Sequence, residues 1–185
     1  MARQRQESGH GDLAALVLRG ALGSLMAGHG SQKGLGWFDG PGPEGTKGFM
    51  EMLGLTPGRR WANLAIASEL GGGALTTLGL LSPLGPLGVI GSMGMAWKTA
   101  HGDKPIWVTE GGAELPLTNI AAALALMLSG PGKYSLDRAL GIRLPRWIGP
   151  LGLAAVLLTV LYTDAGGEEA STEDEAREGL AGEEE

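Results

Sequence analysis

The stretch "LVLRGALGSLMAGHGSQKGLGWF", which runs from Leu16 to Phe38, is mostly apolar and yet carries basic side chains. Arg19 lies near its start, and His29 and Lys33 follow ten and fourteen residues later. A membrane-spanning helix needs about 20 predominantly apolar residues, within a range of roughly 17–25. Residues 13–30 fit this range, with Arg19 as their only formal charge. The stretch therefore predicts a first span that holds a buried cation, which needs a partner or a polar cavity.

The charge of the 185-residue chain is divided unevenly along its length. The formal net charge is −6, but ten acids against one base follow position 163, so that residues 1–163 carry +3. This division predicts a polar N-terminus (1–12), an apolar domain (13–141) and a disordered acidic tail (163–185). Cysteine is absent, which excludes thiolate metal sites and dithiol redox chemistry. Any redox role therefore needs a bound cofactor or a partner protein.

Hydrophobic segments of helical length predict an all-α, multi-pass integral membrane protein. The predicted elements are a four-helix bundle with spans at 13–30, 61–81, 83–97 and 115–128, and an additional hydrophobic helix at 147–162. These segments are apolar on all faces, which favours a membrane bundle over a soluble one. The last helix either crosses the bilayer or lies along it. Phe49, Met50, Met52 and Leu53, in the long loop after the first span, predict a short interfacial helix.

Arg19 and Glu69 are the two formal charges placed deepest in the predicted spans. Because a charge in the bilayer is costly, such residues usually pair with one another or line a polar cavity. If the first two helices are antiparallel, both side chains can approach one buried layer. We therefore expect an Arg19–Glu69 contact, which serves either as a proton relay or as a structural ion pair.

A second group of polar residues follows the ends of the first and third spans. His29 and His101 lie just beyond these ends, which an even number of crossings puts on one side of the membrane. With Lys33, they are candidates for binding a cofactor, and Lys98 and Glu114 are expected nearby. An imidazole and an ammonium at an interface suit a carbonyl-bearing ring such as a quinone, or an oxyanion. Contacts with lipid headgroups are the alternative.

Other chemistry finds little support in the sequence. Two histidines with scattered carboxylates give no recognisable metal-ligand spacing, so no metal site is predicted. The glycine-rich segments lack the lysine and hydroxyl residue that complete a phosphate-binding loop. The sequence predicts no nucleic-acid surface.

Three stretches together resemble the DoxX family of small four-helix membrane proteins. They are "LRGALGSLMAGHGSQKGLGWFDGPGPEGTKGFMEMLGLTPG" (Leu18–Gly58), "ASELGGGALTTLGLLSPLG" (Ala67–Gly85) and "EGGAELPLTNIAAALALMLSGPGKYSLDRALG" (Glu110–Gly141). The family motif positions correspond to Arg19, His29, Gly30, Lys33 and Glu69. The fifth hydrophobic segment and the acidic tail lie outside the resemblance.

The resemblance implies a multi-pass protein of the bacterial or archaeal plasma (inner) membrane. Relatives are associated with thiosulfate:quinone oxidoreduction and with oxidative-stress complexes. It therefore implies a membrane subunit of a redox system, itself not necessarily catalytic, which binds a quinone or holds a soluble oxidoreductase and can assemble as a homo-oligomer. The alternative is a non-enzymatic membrane scaffold or small-solute carrier, in which Arg19 and Glu69 only stabilise the bundle.

Overall fold

The computed structural model describes the backbone of residues 2–163 and the side chains from His10 onward. Within this range the structure consists of helices joined by turns and loops, and it contains no strand. The all-α class predicted from the sequence is therefore confirmed. The predicted disorder of the acidic tail falls on residues 164–185, which lie outside the described range.

The helices follow the hydrophobic segments closely, although several are longer than predicted. In chain order they are α1 (Ala2–Leu35), α2 (Gly42–Met52), α3 (Gly58–Ile66), α4 (Gly72–Leu78), α5 (Leu84–Ala96), α6 (Glu114–Ser129), α7 (Leu136–Leu140) and α8 (Ile148–Thr163). A π-helical turn, Ala67–Gly71, joins α3 and α4 into one rod, and a second, Trp97–His101, extends α5. Helix α1 includes residues 2–12, which the sequence analysis assigned to a polar terminus.

Four rods form the bundle: α1, the α3–α4 rod, α5 and α6. Helix α1 packs against α3–α4, α4 against α5, α5 against α6, and α6 returns to α1. The core between them consists of Ala15, Leu22, Met26, Val89, Ile90, Ala123 and Leu126. Helix α8 lies outside this ring against α5, where Val156 faces Gly91 and Val160 faces Gly94. Helix α2 packs across α3 and α1 and closes one flank.

Small residues allow α1 and the α3–α4 rod to approach closely. A Cβ atom at Gly23 would lie 2.7 Å from the carbonyl oxygen of Gly73, and a Cβ at Gly73 would lie 2.7 Å from that of Gly23. The same two helices also meet where Gly30 faces Leu70 and where Gly34 faces Ile66. The residue nearest to Gly23 is Thr77, and the residue nearest to Gly73 is Ala27. In these two pairs, as in Gly30 with Leu70 and Gly34 with Ile66, the two residue numbers add up to 100, which defines an antiparallel register between the helices.

One helix within residues 2–163, His10–Leu35, is long and apolar enough to cross a membrane. Buried helices of soluble proteins meet the same criterion, so this helix alone is weak evidence for insertion. Two further apolar helices, α6 and α8, are shorter.

Candidate functional site beside Lys33 and Glu69

Glu69 forms a buried ion pair with Lys33. The Lys33 ammonium, on α1, donates a hydrogen bond to Oε1 of Glu69, on the π turn of the α3–α4 rod. The Glu69 side chain is 3% exposed, whereas that of Lys33 is 28% exposed. The second carboxylate oxygen, Oε2, is buried and has no hydrogen-bond partner among the described residues. The pair thus combines an enclosed anion with a cation that reaches toward the surface.

The expected Arg19–Glu69 contact is wrong, and the helix register explains why. Since facing residue numbers add up to 100, Glu69 lies level with Ser31, close to Lys33, while Arg19 lies level with Leu81. Arg19 and Lys33 are fourteen residues apart on one helix, or about 21 Å at a rise of 1.5 Å per residue. The two predicted charges therefore occupy opposite halves of the bundle.

Arg19 instead holds the loop after α6. The side chain is buried, and its Nη2 atom donates a hydrogen bond to the carbonyl oxygen of Tyr134 at 2.5 Å. Its Nε and Nη1 atoms have no hydrogen-bond partner among the described residues. In the same layer Asp137 accepts hydrogen bonds from the backbone amides of Leu81 and Ser82, both at 2.8 Å. Arg19 and Asp137 together fasten this end of the bundle.

A cavity of about 540 Å³ lies beside the Lys33–Glu69 pair. Its lining is mainly apolar and comes from four directions: from the α2 region Phe49, Met50, Leu53 and Leu55; from α3 Trp61, Leu64 and Ala65; from α5 Leu87, Gly88, Gly91, Ser92, Met95 and Ala96; and from α8 Gly152, Ala155, Val156, Thr159 and Val160. The polar side chains in the lining are Lys33, Ser68, Glu69, Ser92, Thr99, His101 and Thr159. Pockets of this size, apolar with a few convergent polar groups, are typical of small-molecule sites.

Both Glu69 and His101 lie on π-helical turns. Glu69 belongs to the turn Ala67–Gly71, and His101 ends the turn Trp97–His101. A π turn accommodates one additional residue and changes the direction of the side chains within it, and such turns occur frequently at functional sites. The α5 helix packs directly on the first turn. Two local distortions thus line one cavity with a carboxylate and an imidazole.

The other residues predicted for this site are distributed differently. His29 is exposed on α1 and does not line the cavity. His101 does line it, and its Nδ1 atom lies 2.5 Å from the carbonyl oxygen of Gly111. Lys98 donates to the carbonyl oxygen of Val160 at 2.8 Å, which ties α5 to α8. Glu114 accepts from the amide of Val108 at 2.9 Å, outside the cavity.

The arrangement suits binding of an apolar molecule with one polar end. Lys33 provides a hydrogen-bond donor and Glu69 an acceptor. His101 provides a second acceptor at Nε2, because its Nδ1 donates to the carbonyl oxygen of Gly111. The hydroxyl groups of the lining donate to carbonyl oxygens of their own helices. Within residues 2–163 no group of three or more histidines and acids is placed to hold a metal ion. The aromatic and α8 walls of the cavity are not apparent from the sequence, in which Phe49, Met50 and Leu53 indicate only an interfacial helix.

Comparison with known proteins identifies the domain that supplies this ion pair. The family model DoxX matches residues 14–102, which extend from α1 to the π turn after α5 and contain Lys33, Glu69 and Arg19. The chain thus contains a DoxX domain over these residues, as the motifs predicted. It is a membrane protein of the DoxX type. The match ends before α6 and α8, although the resemblance in the sequence continued to Gly141. No curated protein and no solved structure matches the chain significantly.

Proposed function

We propose that the chain is a multi-pass membrane subunit of a redox system and that it binds a quinone in the cavity beside Lys33 and Glu69. The proposed spans are α1, the α3–α4 rod, α5 and α6 in a plasma membrane, with α8 packed alongside. Large apolar side chains on the outside of these helices support insertion, among them Leu25, Leu64, Leu78, Leu128 and Leu158. In water, an apolar surface of this extent would be unfavourable.

The observation that carries the ligand assignment is an apolar cavity with an ion pair at its wall. A quinone combines a flat apolar ring with two carbonyl oxygens, and its apolar tail suits aliphatic walls. The Lys33 ammonium would donate a hydrogen bond to a carbonyl oxygen of the quinone. The His101 ring donates through Nδ1 to the carbonyl oxygen of Gly111, so its Nε2 atom would accept a hydrogen bond from a hydroxyl group of the reduced quinol. Aromatic and aliphatic walls such as Trp61 and Val156 would contact the ring and the tail. The residues present therefore fit this class of ligand.

The chain itself would contribute binding, orientation and a place for a proton. A bound quinone supplies the electron-transfer chemistry, which a chain without cysteine has no thiols to perform. Glu69 Oε2, buried and without a partner among the described residues, is placed to exchange a proton with a group in the cavity. Lys33 holds the other carboxylate oxygen, Oε1, in the ion pair. A soluble oxidoreductase would deliver or remove the electrons, and the chain described here would act as its membrane subunit.

The test is purification in a gentle detergent, followed by mass spectrometry of the proteins and lipid-soluble molecules that accompany the chain. We expect close to one quinone per chain. Glu69→Gln and His101→Ala should lower this ratio at least severalfold and reduce quinone-linked activity of membranes, while the protein still accumulates. His29→Ala is the matched control, since this exposed histidine lies outside the cavity, and it should retain the wild-type ratio.

A non-enzymatic scaffold or small-solute carrier is the second candidate. The observation that favours it is the position of Arg19, which fastens a loop at the far end of the bundle and does not reach the cavity. If the purified chain carries ordinary lipids only, and if Glu69→Gln changes stability without changing any quinone-linked activity, the redox proposal is wrong and this candidate replaces it.

A further inference from the structure

A basic cleft opens at the end of the bundle where α6 meets α7. Its volume is about 330 Å³, and three cationic residues line it: Lys133, Arg138 and Arg143. Gly132 and Ile142 are among its other lining residues. It lies at the opposite end of the bundle from the Lys33–Glu69 pair, since it includes Asp12 near the start of α1.

The two acids in this cleft are already engaged. Asp12 accepts a hydrogen bond from the backbone amide of Lys133 at 2.9 Å and contacts its ammonium at the same distance. Asp137 is buried, and both its carboxylate oxygens accept backbone amides. Among the described residues, no hydrogen bond or ion pair within contact distance engages the guanidinium groups of Arg138 and Arg143. Two exposed cations thus face an open cleft whose acids are used elsewhere.

The segment around the cleft combines these cations with exposed apolar side chains. Residues 133–147 contain four bases and one acid, and that acid is the buried Asp137. Tyr134, Leu140 and Trp147 are each more than half exposed in the same segment. Basic and aromatic residues together are typical of the zone where lipid headgroups meet the hydrocarbon. This combination distinguishes the segment from a surface that faces only water.

At the opposite end of the bundle, three cations form ion pairs. Lys33 pairs with Glu69, Lys47 with Glu51 at 3.8 Å, and Arg59 with Glu44 at 2.8 Å. A count of bases alone does not distinguish the two ends. Residues 1–12 and 130–147, at the α6–α7 end, carry six bases and three acids, whereas residues 31–60 and 98–114, at the other end, carry six of each. The α6–α7 end therefore has the higher net positive charge, which suits the anionic surface of the cytoplasmic leaflet.

We propose that the cleft formed by Lys133, Arg138 and Arg143 binds the phosphate of an anionic phospholipid headgroup in the cytoplasmic leaflet. The guanidinium fork suits bidentate contact with phosphate oxygens. Tyr134 and Trp147 hold the segment at the depth of the headgroups. The assignment rests on insertion into the membrane, as proposed above, but not on the redox role or on the quinone.

Binding is tested by native mass spectrometry of the full chain released from nanodiscs. The nanodiscs contain either phosphatidylcholine alone or phosphatidylcholine with phosphatidylglycerol. We expect the chain to retain phosphatidylglycerol selectively, and less of it as ionic strength rises. The double variant Arg138→Gln/Arg143→Gln should bind it about 30-fold more weakly, since each cation near an anionic surface contributes about fivefold. Arg60→Gln, which removes an exposed cation at the other end, should bind as the wild type does.

The assignment is overturned if the chain retains the two lipids equally, or if the double variant binds phosphatidylglycerol as tightly as the wild type. It is also overturned if Arg60→Gln weakens binding as much as the double variant does. Displacement of the lipid by millimolar inorganic phosphate would indicate a site for a soluble anion and would likewise overturn it. Because the substituted arginines are exposed, circular dichroism and melting temperature should stay at the wild-type values. The quinone ratio should also stay unchanged, which separates this test from that of the proposed function.

The leaflet is tested independently, and the absence of native cysteine makes the test clean. Single cysteines are introduced at Ala139, on α7, and at Asp103, both exposed and at opposite ends of the bundle. In intact cells a membrane-impermeant maleimide should label Asp103→Cys but not Ala139→Cys, and lysis should make both reactive. Labelling of Ala139→Cys in intact cells would place the cleft on the outer face and overturn the proposal.

Discussion

The ion pair between Lys33 and Glu69 joins residues of very different exposure on adjacent helices. The Glu69 carboxylate is enclosed at the π turn, whereas the Lys33 side chain keeps about a quarter of its surface accessible. Removal of Lys33 and removal of Glu69 are therefore expected to have different energetic costs. An unpaired buried anion is more costly than an unpaired cation that can extend toward a polar environment.

Loss of Lys33 should destabilise the protein more than loss of Glu69. Lys33→Met leaves a buried carboxylate without its cation, and we expect a loss of about 3–5 kcal/mol in the free energy of unfolding. Glu69→Gln should lose only about 1–2 kcal/mol, because Lys33 keeps partial access to solvent. Denaturant titration in detergent measures both values.

The double variant Lys33→Met/Glu69→Met is the control for this asymmetry. Replacement of both charges by apolar groups removes the unpaired ion, so that stability should recover most of the Lys33→Met loss. Equal losses in the two single variants, or losses that simply add in the double variant, would contradict this account of the pair.

Gly23 is expected to tolerate no side chain, in contrast to Gly28 on the same helix. A Cβ at Gly23 meets the backbone of the α3–α4 rod, while a Cβ at Gly28 meets no atom within 4 Å. Gly23→Ala should therefore cost about 3 kcal/mol by separating the helices, near the upper end of typical overpacking. Gly28→Ala should be neutral or stabilise by up to about 1 kcal/mol. The prediction is tested by measuring the melting temperatures of the two variants in the same detergent. Similar values would show that α1 and the α3–α4 rod do not approach each other closely at Gly23.

Asp137 is predicted to fasten the loop after α6 to the turn between α4 and α5. Asp137→Asn turns one acceptor into a donor, which then faces the amide of Leu81 or Ser82, and a loss of about 1–3 kcal/mol is expected. Asp103→Asn, at an exposed position, should change stability by less than about 0.5 kcal/mol. Limited proteolysis should cleave near residues 131–147 faster in Asp137→Asn alone. Equal cleavage in both variants would mean that the contacts of Asp137 do not hold the loop.

The volume of the Arg19 side chain is expected to contribute more to the stability of the protein than its charge does. Two of its nitrogen atoms lack hydrogen-bond partners among the described residues, so Arg19→Met keeps much of the volume and removes the desolvated charge. We expect Arg19→Met to be more stable than Arg19→Ala by about 2 kcal/mol or more. Both variants should retain any ligand of the Lys33–Glu69 cavity at the wild-type ratio. If Arg19→Met were as unstable as Arg19→Ala, the guanidinium would be making a net favourable contribution.

The hydrophobic segments of the sequence predicted the helices well because apolar length alone sets where each helix lies. Helices α6 and α8 begin and end within one residue of the predicted 115–128 and 147–162. The pattern also predicted a short helix with Met50 on it, and α2 places Met50 in the smaller apolar cluster with Leu55. Local composition determines these features, and no knowledge of the neighbouring helices is needed.

The partner of Glu69 could not be predicted in this way. Periodicity fixes which face of a helix is apolar, but it contains no information on how far one helix slides along another. That offset is set here by contacts such as Gly23 with Gly73, together with a long loop that permits many registers. The two π turns could not be predicted either, because a single additional residue in a helix does not change the average hydropathy. The positions of Glu69 and His101 depend on both features.

Helix α8 forms one wall of the cavity, although it lies beyond the DoxX domain at residues 14–102. The ion pair and the aromatic side chains Phe49 and Trp61 lie within the matched residues, whereas Val156 and Val160 lie beyond them. Substitutions in α8 would therefore change the shape of the cavity without touching the Lys33–Glu69 pair.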